Sequence, residues 1–402
     1  MPLDPAALAR GCGGKLERAN QLCRHELDRF KQAVAAGASV TVGCTQERPV
    51  FAEAAGEAGG ADRVAFVNIR ENAGWSIDAA AAGPKMAALL AAAAIETPPV
   101  PLVSLESRGV TLVYGRDETA VVAAGRLAEH LDLTVLLTRP GEIASSVSAE
   151  FPIAKGTIVS AAGHLGDFTL RIDDYALPPP SSRDRLVFGP PRDGATSTCD
   201  LILDLSGGAP LFSAHDLRPD YVRADPRDPL AVERAIFAAS HLVGSFDKPR
   251  YIDFAAHLCA HSRSQITGCT RCLDLCPTGA IAPAGDHVAI DPHVCAGCGG
   301  CAAVCPTGAA AYAMPPAETL LQRLRVLLLA YRGAGGRDAV VLFHDREHGE
   351  ALIHALARFG AGLPANVLPV AVNEVSQVGP EALFALFAYG AAGGAFLLRA
   401  KA

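Results

Sequence analysis

The chain has 402 residues, which is enough for two or three domains with separate hydrophobic cores. Its formal net charge is −7 and it has no block of basic residues, which argues against a nucleic-acid-binding protein. Half of the residues are hydrophobic, but many of these are alanine, and the longest apolar stretch, 382–398, contains three glycines. That stretch is shorter than the ~20 residues of a spanning helix, so we expect no membrane span.

The N-terminus and the cysteine content bear on the compartment. The first fifteen residues have no basic region followed by an apolar core, so we expect no secretory signal. Twelve cysteines in a chain without a signal suit a reducing compartment, where thiolates stay available to bind iron. Disulfides are the less favoured alternative. We therefore expect a cytoplasmic protein.

The first hundred residues alternate helix and strand. Helical patterns over 15–36, 50–57 and 77–94 are separated by β-rich runs at 39–44 and 64–67. Strands separated by helices predict a parallel sheet. The sequence TPPVP that follows predicts a linker, so the first α/β domain is expected to span 1–100.

In residues 40–76 a strand that ends in cysteine is followed by a helix containing phenylalanine and then by an Asn-Ile-Arg-Glu stretch. This segment resembles the N-terminal region of the heterodisulfide reductase A subunit. The positions that match that family are Cys44, Asn68, Arg70, Glu71 and Trp75.

In the same family this region contributes cysteines to a further cluster. The resemblance therefore leaves open a third cluster here, built from Cys12, Cys23 and Cys44 with Cys199 as a fourth ligand. Their spacing fits no compact motif, and buried or surface thiols are the alternative.

Residues 109–138 have the pattern strand, turn, helix, strand, which predicts a Rossmann-like α/β domain over 101–250. The reductase subunit carries a flavin-binding G-x-G-x-x-G turn at this place, whereas the turn here is YGRDET with one glycine. Asp117 and Glu118 at the start of the helix would suit the helix dipole but repel a phosphate. We therefore expect a capped turn without a flavin.

A β-hairpin is expected at 156–173 and a buried strand at 199–208.

The most specific motif is CAGCGGCAAVCP at 295–306, in which four cysteines are spaced C-x2-C-x2-C-x3-C and followed by proline. That spacing is typical of loops that bind a [4Fe–4S] cluster. Glycine and alanine between the cysteines leave the tight loop free of side-chain bulk. In two-cluster proteins the last cysteine of such a motif binds the neighbouring cluster, so a second motif is expected.

A second, incomplete copy lies upstream, where Cys269, Cys272 and Cys276 repeat the last three positions of the motif. Both copies continue with Pro-Thr-Gly-Ala. This duplication resembles the bacterial two-cluster ferredoxin module over 259–314, and we expect a domain at 251–316. Ile266 stands where the first cysteine of the upstream copy belongs, and Cys259 is the expected substitute.

The crossover rule gives the ligand sets of two expected [4Fe–4S] clusters. One cluster takes Cys259, Cys269, Cys272 and Cys305, and the other takes Cys276, Cys295, Cys298 and Cys301. Alternatives at the substituted position are a buried thiol at Cys259, ligation by His257 or His261, or an incomplete three-iron cluster. Structural zinc is the alternative for the whole motif, but zinc requires neither the three-residue gap nor the Cys-Pro pair.

The remaining residues, 317–402, predict a leucine-rich helix followed by alternating strands and helices, and hence a small parallel sheet. This tail resembles the delta subunit of methyl-viologen-reducing hydrogenase, which docks hydrogenase onto heterodisulfide reductase. That family binds a small cluster through cysteines at strand ends. No cysteine follows Cys305 here, so the resemblance implies a docking domain without its own cofactor.

A histidine-rich segment at 344–354 is expected to be a solvated polar loop rather than a metal site.

Together these patterns predict an α/β protein, α+β overall, in which Rossmann-like parallel-sheet units flank a small ferredoxin-like module. The expected function is transfer of single electrons between protein redox partners, as an electron-transfer subunit of an oxidoreductase complex rather than a stand-alone enzyme. No catalytic residues, and no metal besides the iron of the clusters, are expected. The alternatives are a flavin-containing reductase subunit and an assembly or docking factor for a formate-dehydrogenase-like enzyme.

Overall fold

The structure is a computed structural model that describes residues 2–144, 150–263 and 266–400. Its α-helices are α1 Pro5–Cys12, α2 Leu27–Ala35, α3 Arg48–Glu57, α4 Gly83–Ala93, α5 Glu118–Leu127, α6 Pro229–Ser240, α7 Arg271–Leu275, α8 Gly300–Ala303, α9 Ala317–Gly333, α10 Gly349–Phe359 and α11 Pro380–Ala388. Its strands are β1 Val40–Val42, β2 Val64–Phe66, β3 Leu102–Ser107, β4 Val110–Gly115, β5 Asp132–Leu137, β6 Ile153–His164, β7 Asp167–Ala176, β8 Ala195–Cys199, β9 Leu201–Leu205, β10 Tyr221–Arg223, β11 Gly244–Pro249, β12 Ile252–Phe254, β13 Ser262–Arg263, β14 Ile266–Thr267, β15 Ile281–Ala284, β16 His287–Ile290, β17 Ala310–Tyr312, β18 Val340–His344, β19 Val367–Ala371 and β20 Gly393–Leu397.

The chain divides into two compact units. The first unit consists of Met1–Val100, Ile252–Cys259 and Gly297–Ala402, and the second of Pro101–Tyr251 and Ala260–Ala296. Both contain parallel sheets covered by helices, so the predicted α/β fold class is confirmed. The finer division into four domains, with boundaries after 100, 250 and 316, stays a prediction.

The second unit is built on a seven-stranded sheet with the order β10-β9-β4-β5-β6-β7-β8. The strands from β10 to β6 run parallel, whereas β7 and β8 are antiparallel to their neighbours. All five residues of β9 are buried, as expected for a strand that is covered on both faces. One face packs on α5 and α6, and the other on an apolar cluster that includes Phe168, Phe212 and Tyr221.

The predicted strand–turn–helix at the centre of this sheet is present. Asp117 caps α5, because its Oδ1 atom accepts a hydrogen bond of 3.1 Å from the N–H of Thr119. A Cβ atom on Gly115 would lie 2.2 Å from the Cβ of Ala120, so the single glycine of the turn allows the helix to approach the strand. The predicted hairpin is also present, formed by β6 and β7.

The first unit contains a parallel β1–β2 pair and a parallel three-stranded sheet with the order β19-β18-β20. Its main core lies between α1, α4, α9 and the three-stranded sheet. The largest contributions come from fully buried side chains such as Met86, Leu328 and Phe343. The leucine-rich helix and the small parallel sheet predicted for the C-terminal residues are both observed.

Two predicted helices are shorter than expected. The helix predicted over 15–36 begins only at Leu27, because the Glu26 carboxylate accepts hydrogen bonds from the N–H groups of Asn20 and Gln21 and so holds a turn. The helix predicted over 77–94 begins at Gly83, with a 3₁₀ turn, Ala79–Ala81, before it. Pro84 favours this start, because proline suits the first turn of a helix.

None of the helices in the described ranges combines the length and the apolarity that crossing a membrane would need.

One buried charge in the first unit is expected to make stability depend on pH. Lys85 is fully buried, and its ammonium group donates hydrogen bonds to the carbonyl oxygens of Leu363 and Pro364. Burial lowers the pKa of Lys85 to about 8. Between pH 8 and 10.5 the unfolded chain therefore binds more protons at this site than the folded chain does, and stability rises with pH.

Burying the charged ammonium group of Lys85 costs free energy, and this cost disappears as the group loses its proton. We therefore expect the contribution of Lys85 to the free energy of unfolding to be up to about 3 kcal/mol higher at pH 10.5 than at pH 7.5. The measurement is the difference in free energy of unfolding between the natural chain and Lys85→Met across this range. Lys31→Met, which removes a surface lysine paired with Glu57, should leave the rise intact. An identical rise in the Lys85→Met variant would contradict the assignment.

Candidate cluster-binding site

The eight cysteines predicted to bind iron are divided equally between the two units. The first unit holds Cys259, Cys298, Cys301 and Cys305, and the second holds Cys269, Cys272, Cys276 and Cys295. Cys301 is buried and the other seven are half-buried. Their assignment to two clusters stays a prediction.

The two copies of the cysteine motif adopt the same local structure. Cys272 is the second residue of α7, and Cys301 is the second residue of α8. Each short helix is followed closely by the last cysteine of its copy, Cys276 or Cys305, and then by a proline that cannot continue it. The duplication seen in the sequence is therefore a duplication of structure.

A threonine hydroxyl lies beside the last cysteine sulfur of each copy. The Oγ1 atom of Thr278 is 3.7 Å from the sulfur of Cys276, and that of Thr307 is 3.7 Å from the sulfur of Cys305. These threonines belong to the repeated Pro-Thr-Gly-Ala sequence. A hydroxyl in this place can donate a hydrogen bond to a thiolate.

The sulfur of Cys305 receives further donors. The N–H of Ala310 lies 3.5 Å from it. Burial raises the pKa of the Cys305 thiol, but the backbone N–H groups of Ala310, Thr307 and Ala309 and the Thr307 hydroxyl outweigh burial, so that the pKa falls below its usual value. The thiolate is the form that binds iron. The donor set around Cys305 thus fits a cysteine that serves as a cluster ligand.

In the first unit a loop after β19 supports the part of the complete copy that begins at Gly297. The hydroxyl of Ser376 donates a hydrogen bond of 2.6 Å to the carbonyl oxygen of Cys298. The hydroxyl of Tyr312 donates to the carbonyl oxygen of Gly297 at 2.6 Å, and the side-chain amide of Asn373 donates to that hydroxyl at 2.8 Å. The carbonyls of the cysteine loop are thereby held by two side-chain hydroxyls.

Gly299 lies at the centre of this support. Its φ of +76° is in the left-handed region, and a Cβ atom would lie 2.5 Å from the Cβ and 2.8 Å from the Cα of Gln377. The glycine is therefore required both by its backbone conformation and by the close approach of the neighbouring loop. Sequence reasoning identified this glycine but neither its neighbours Tyr312 and Gln377 nor Ser376, which holds the adjacent Cys298. Ser376 follows Cys298 by 78 residues, and no local pattern marks it.

In the second unit the incomplete copy begins with a short hairpin. Strands β13 and β14 pair with each other. At the open end of this hairpin, the N–H of Gly268 donates to the carbonyl oxygen of His261 at 2.7 Å, and the N–H of Cys269 donates to that of Ala260 at 3.0 Å. Ser264 and Gln265 lie outside the described residues. Ile266 is 71% exposed on this hairpin. Ala260, which directly follows Cys259 in the chain, therefore lies beside Cys269.

The histidine alternatives to Cys259 differ in their surroundings. His261 is buried, and its Nδ1 atom lies 3.0 Å from the carbonyl oxygen of Cys269. His257 belongs to a 3₁₀ turn, Ala256–Leu258, in the first unit and is exposed.

Two of the cysteines outside the motif, Cys12 and Cys199, are packed in apolar clusters, and hydrogen bonds hold the histidine-rich segment at 344–354. Cys199 ends β8 within an apolar cluster, and burial raises the pKa of its thiol to about 12. Burial also raises the pKa of Cys12. The carboxylate of Asp345 accepts hydrogen bonds from the N–H groups of His348 and Gly349 at the start of α10. Within the described ranges, no three His, Cys, Asp or Glu side chains are grouped so that they could hold a metal ion.

Asn68, Arg70, Glu71 and Trp75, four of the positions on which the sequence resemblance in the first unit was based, form a polar network. Glu71 is buried and accepts hydrogen bonds from the guanidinium groups of Arg70 and Arg358 at 2.7 and 2.9 Å. Burial raises the pKa of Glu71, but the two arginines lower it further, to about 2. The Arg70 guanidinium also stacks 4.4 Å from the ring centre of Trp75. This network fixes the segment after β2.

We expect Gly299→Ala to destabilise the complete cysteine loop, because the new methyl group collides with Gln377. The cost should be about 1–3 kcal/mol beyond the backbone cost of a positive φ. Thermal unfolding and the iron retained after anaerobic purification would measure it. Gly308→Ala is the matched control, since Gly308 also has a positive φ but nothing within 4 Å of its Cβ position. Equal losses in both variants would count against the steric explanation.

Comparison with known families bears on the duplicated motif. Residues 267–309 match the model of the 4Fe-4S dicluster domain. The match covers about a tenth of the chain and includes seven of the eight predicted ligands, with Cys259 outside it. No curated protein matches the chain. The comparison thus supports a ferredoxin-like iron–sulfur module, whereas the resemblances to the heterodisulfide reductase and hydrogenase subunits gain no support from a named relative.

Proposed function

We propose that this chain is an iron–sulfur electron-transfer protein or subunit that relays single electrons between redox partners through two [4Fe–4S] clusters. The proposal rests on the duplicated Cys-Pro-Thr-Gly-Ala loops, each with a hydroxyl 3.7 Å from its cysteine sulfur. A dicluster match over the same residues supports it. The clusters would supply one-electron chemistry and the chain would supply ligands, hydrogen bonds and burial.

The residues around the loops have separate tasks in this proposal. Eight cysteines hold the iron, and Thr278, Thr307 and the N–H of Ala310 donate to ligand sulfurs. Such donors stabilise added negative charge and so affect the reduction potential. Tyr312 and Ser376 fix the backbone of the complete copy. No proton has to move for this function.

For the first cluster we propose Cys259, Cys269, Cys272 and Cys305 as ligands, and for the second Cys276, Cys295, Cys298 and Cys301. The hairpin at 260–269 favours Cys259 over Ile266, because the hairpin ends bring Ala260 next to Cys269. Ile266, which stands at the expected ligand position, is instead exposed and has no atom that binds iron.

Protein redox partners would dock on the α/β units. The helices of the C-terminal part carry large apolar side chains that face solvent: Phe359 on α10 is 89% exposed and Phe384 on α11 is 74% exposed. Aromatic side chains are enriched at protein-binding surfaces. We therefore propose the C-terminal residues 317–402 as the docking domain and a reducing, cytoplasmic location for the complex.

Iron and sulfide analysis of the full chain, purified without oxygen, tests the function. We expect about eight iron and eight sulfide ions per chain and a paramagnetic reduced form, because each of the two proposed clusters has four cysteine ligands. We also expect no releasable flavin. A colourless protein that contains zinc would overturn the proposal. Release of FAD would favour the reductase alternative.

Replacement of Cys259 tests the ligand assignment. We expect Cys259→Ser to lose one iron from the first cluster or about half of the total iron, since a cubane needs four protein ligands. Low-temperature EPR distinguishes a three-iron cluster from a lost one. Cys23→Ser, which removes a half-buried cysteine of the same unit, is the control and should keep all its iron. Two undisturbed cubanes in the Cys259→Ser variant would show that another residue supplies the ligand.

A further inference from the structure

Two cationic side chains of the second unit contact the cysteine loops of that unit. Arg218 follows a 3₁₀ turn, His215–Leu217, and is only 8% exposed. Lys248 lies on β11 and is half-buried. Neither belongs to the cysteine motif, and no sequence pattern singled them out.

Arg218 is attached to the loop that follows Cys276. Its Nη2 atom donates a hydrogen bond of 3.0 Å to the carbonyl oxygen of Thr278, and its Nη1 atom donates one of 2.8 Å to the carbonyl oxygen of Gly163 in the β6–β7 hairpin. The guanidinium carbon lies 4.3 Å from the ring centre of Phe212. These three contacts fix the cation next to the Cys276 loop.

In the part of the chain that the structure describes, no carboxylate accepts a hydrogen bond from Arg218. Its hydrogen-bond acceptors are neutral carbonyl oxygens, and its Nε atom is buried without a hydrogen-bond partner among the described residues. Burial of an arginine is costly unless negative charge compensates it. Burial lowers the pKa of Arg218, and Asp220, Asp291 and the Cys276 sulfur oppose that shift.

Lys248 is attached to the loop that precedes Cys295. Its ammonium group donates to the carbonyl oxygen of His293. Burial lowers the pKa of Lys248, and Asp220, Cys295 and Asp291 act against that change. His293 stacks on His164, with ring centres 4.6 Å apart, so the loop is also held by the β6–β7 hairpin.

The two carboxylates that face these cations are partly occupied by backbone groups. Asp291 accepts hydrogen bonds from the N–H groups of His293 and Val294, and Asp220 accepts one of 2.8 Å from the N–H of Leu165. Both carboxylates keep their negative charge, but Arg218 and Lys248 contact the Cys276 and Cys295 loops themselves, so removing either cation makes the surroundings of these loops more negative. Both loops, those of Cys276 and Cys295, belong to the same proposed cluster.

We propose that Arg218 and Lys248 raise the reduction potential of the cluster held by Cys276 and Cys295 above that of the other cluster. This inference rests on the proposed two-cluster function. One electron from a one-electron donor adds one negative charge to the cluster, and no bond forms or breaks. Fixed positive charge nearby stabilises that reduced form, so the first electron that enters the chain rests on this cluster. Electron transfer within the chain would thereby favour the direction from the other cluster to this one.

A redox titration of the full chain, followed by EPR with dithionite as reductant, tests the proposal. We expect Arg218→Met to keep its iron and to move the first reduction step to lower potential. At the potential where that step is half complete in the natural chain, the ratio of reduced to oxidised cluster should fall about tenfold, which corresponds to 59 mV for one electron. Arg218→Lys should restore most of the loss.

Controls and a second variant keep the outcome decisive. Arg192→Met removes an arginine of the same unit that stacks on Tyr175, and it should leave both steps unchanged. Lys248→Met should lower the first step even if Arg218→Met loses iron. Unchanged potentials in an iron-replete Arg218→Met variant, or in Lys248→Met when the arginine variant loses iron, would overturn the proposal. A natural chain without clusters would instead overturn the proposed function itself.

Discussion

Thiolates that are brought close together repel one another, so a chain that gathers several of them has to place hydrogen-bond donors or positive charge beside the sulfur atoms. The cysteine loops of this chain have both. Hydroxyl groups lie beside the sulfurs of Cys276 and Cys305, and a backbone N–H lies beside the second of these. Arg218 and Lys248 add positive charge next to the loops of the second unit. These groups favour negative charge on the cysteine loops.

The α/β scaffold acts as the support for these loops. In the second unit, the hairpin after β6 and the segment before β10 hold the loops through Gly163, His164 and Arg218. In the first unit, the segment after β19 holds the complete copy through Ser376 and Gln377. Groups that position a cofactor are most precise when they stand on regular, well-packed elements. The large size of the chain relative to its cysteine motif is consistent with that requirement.

Sequence patterns predicted the features that depend on neighbours in the chain. The spacing of the cysteines, the alternation of strands and helices, and the capped turn at Asp117 are local, and the structure contains the corresponding elements. The helix predicted from residue 15 was wrong because a single carboxylate, that of Glu26, captures two backbone N–H groups and delays the start to Leu27. Arg218 and Ser376 could not be found in advance, since they act on loops 60 and 78 positions away in the sequence.

The support of Cys298 by Ser376 has a consequence for biosynthesis. The two residues are 78 positions apart, so the cysteine loop emerges from the ribosome well before the serine that fixes it. At synthesis rates of about 5–20 residues per second, the cysteines spend several seconds without that partner. Iron delivered during this interval would meet a loop that is not yet held in place. A chain cut short before Asn373 would retain every cysteine and Tyr312, and would still lack the Asn373 and Ser376 side chains that complete the support of this loop.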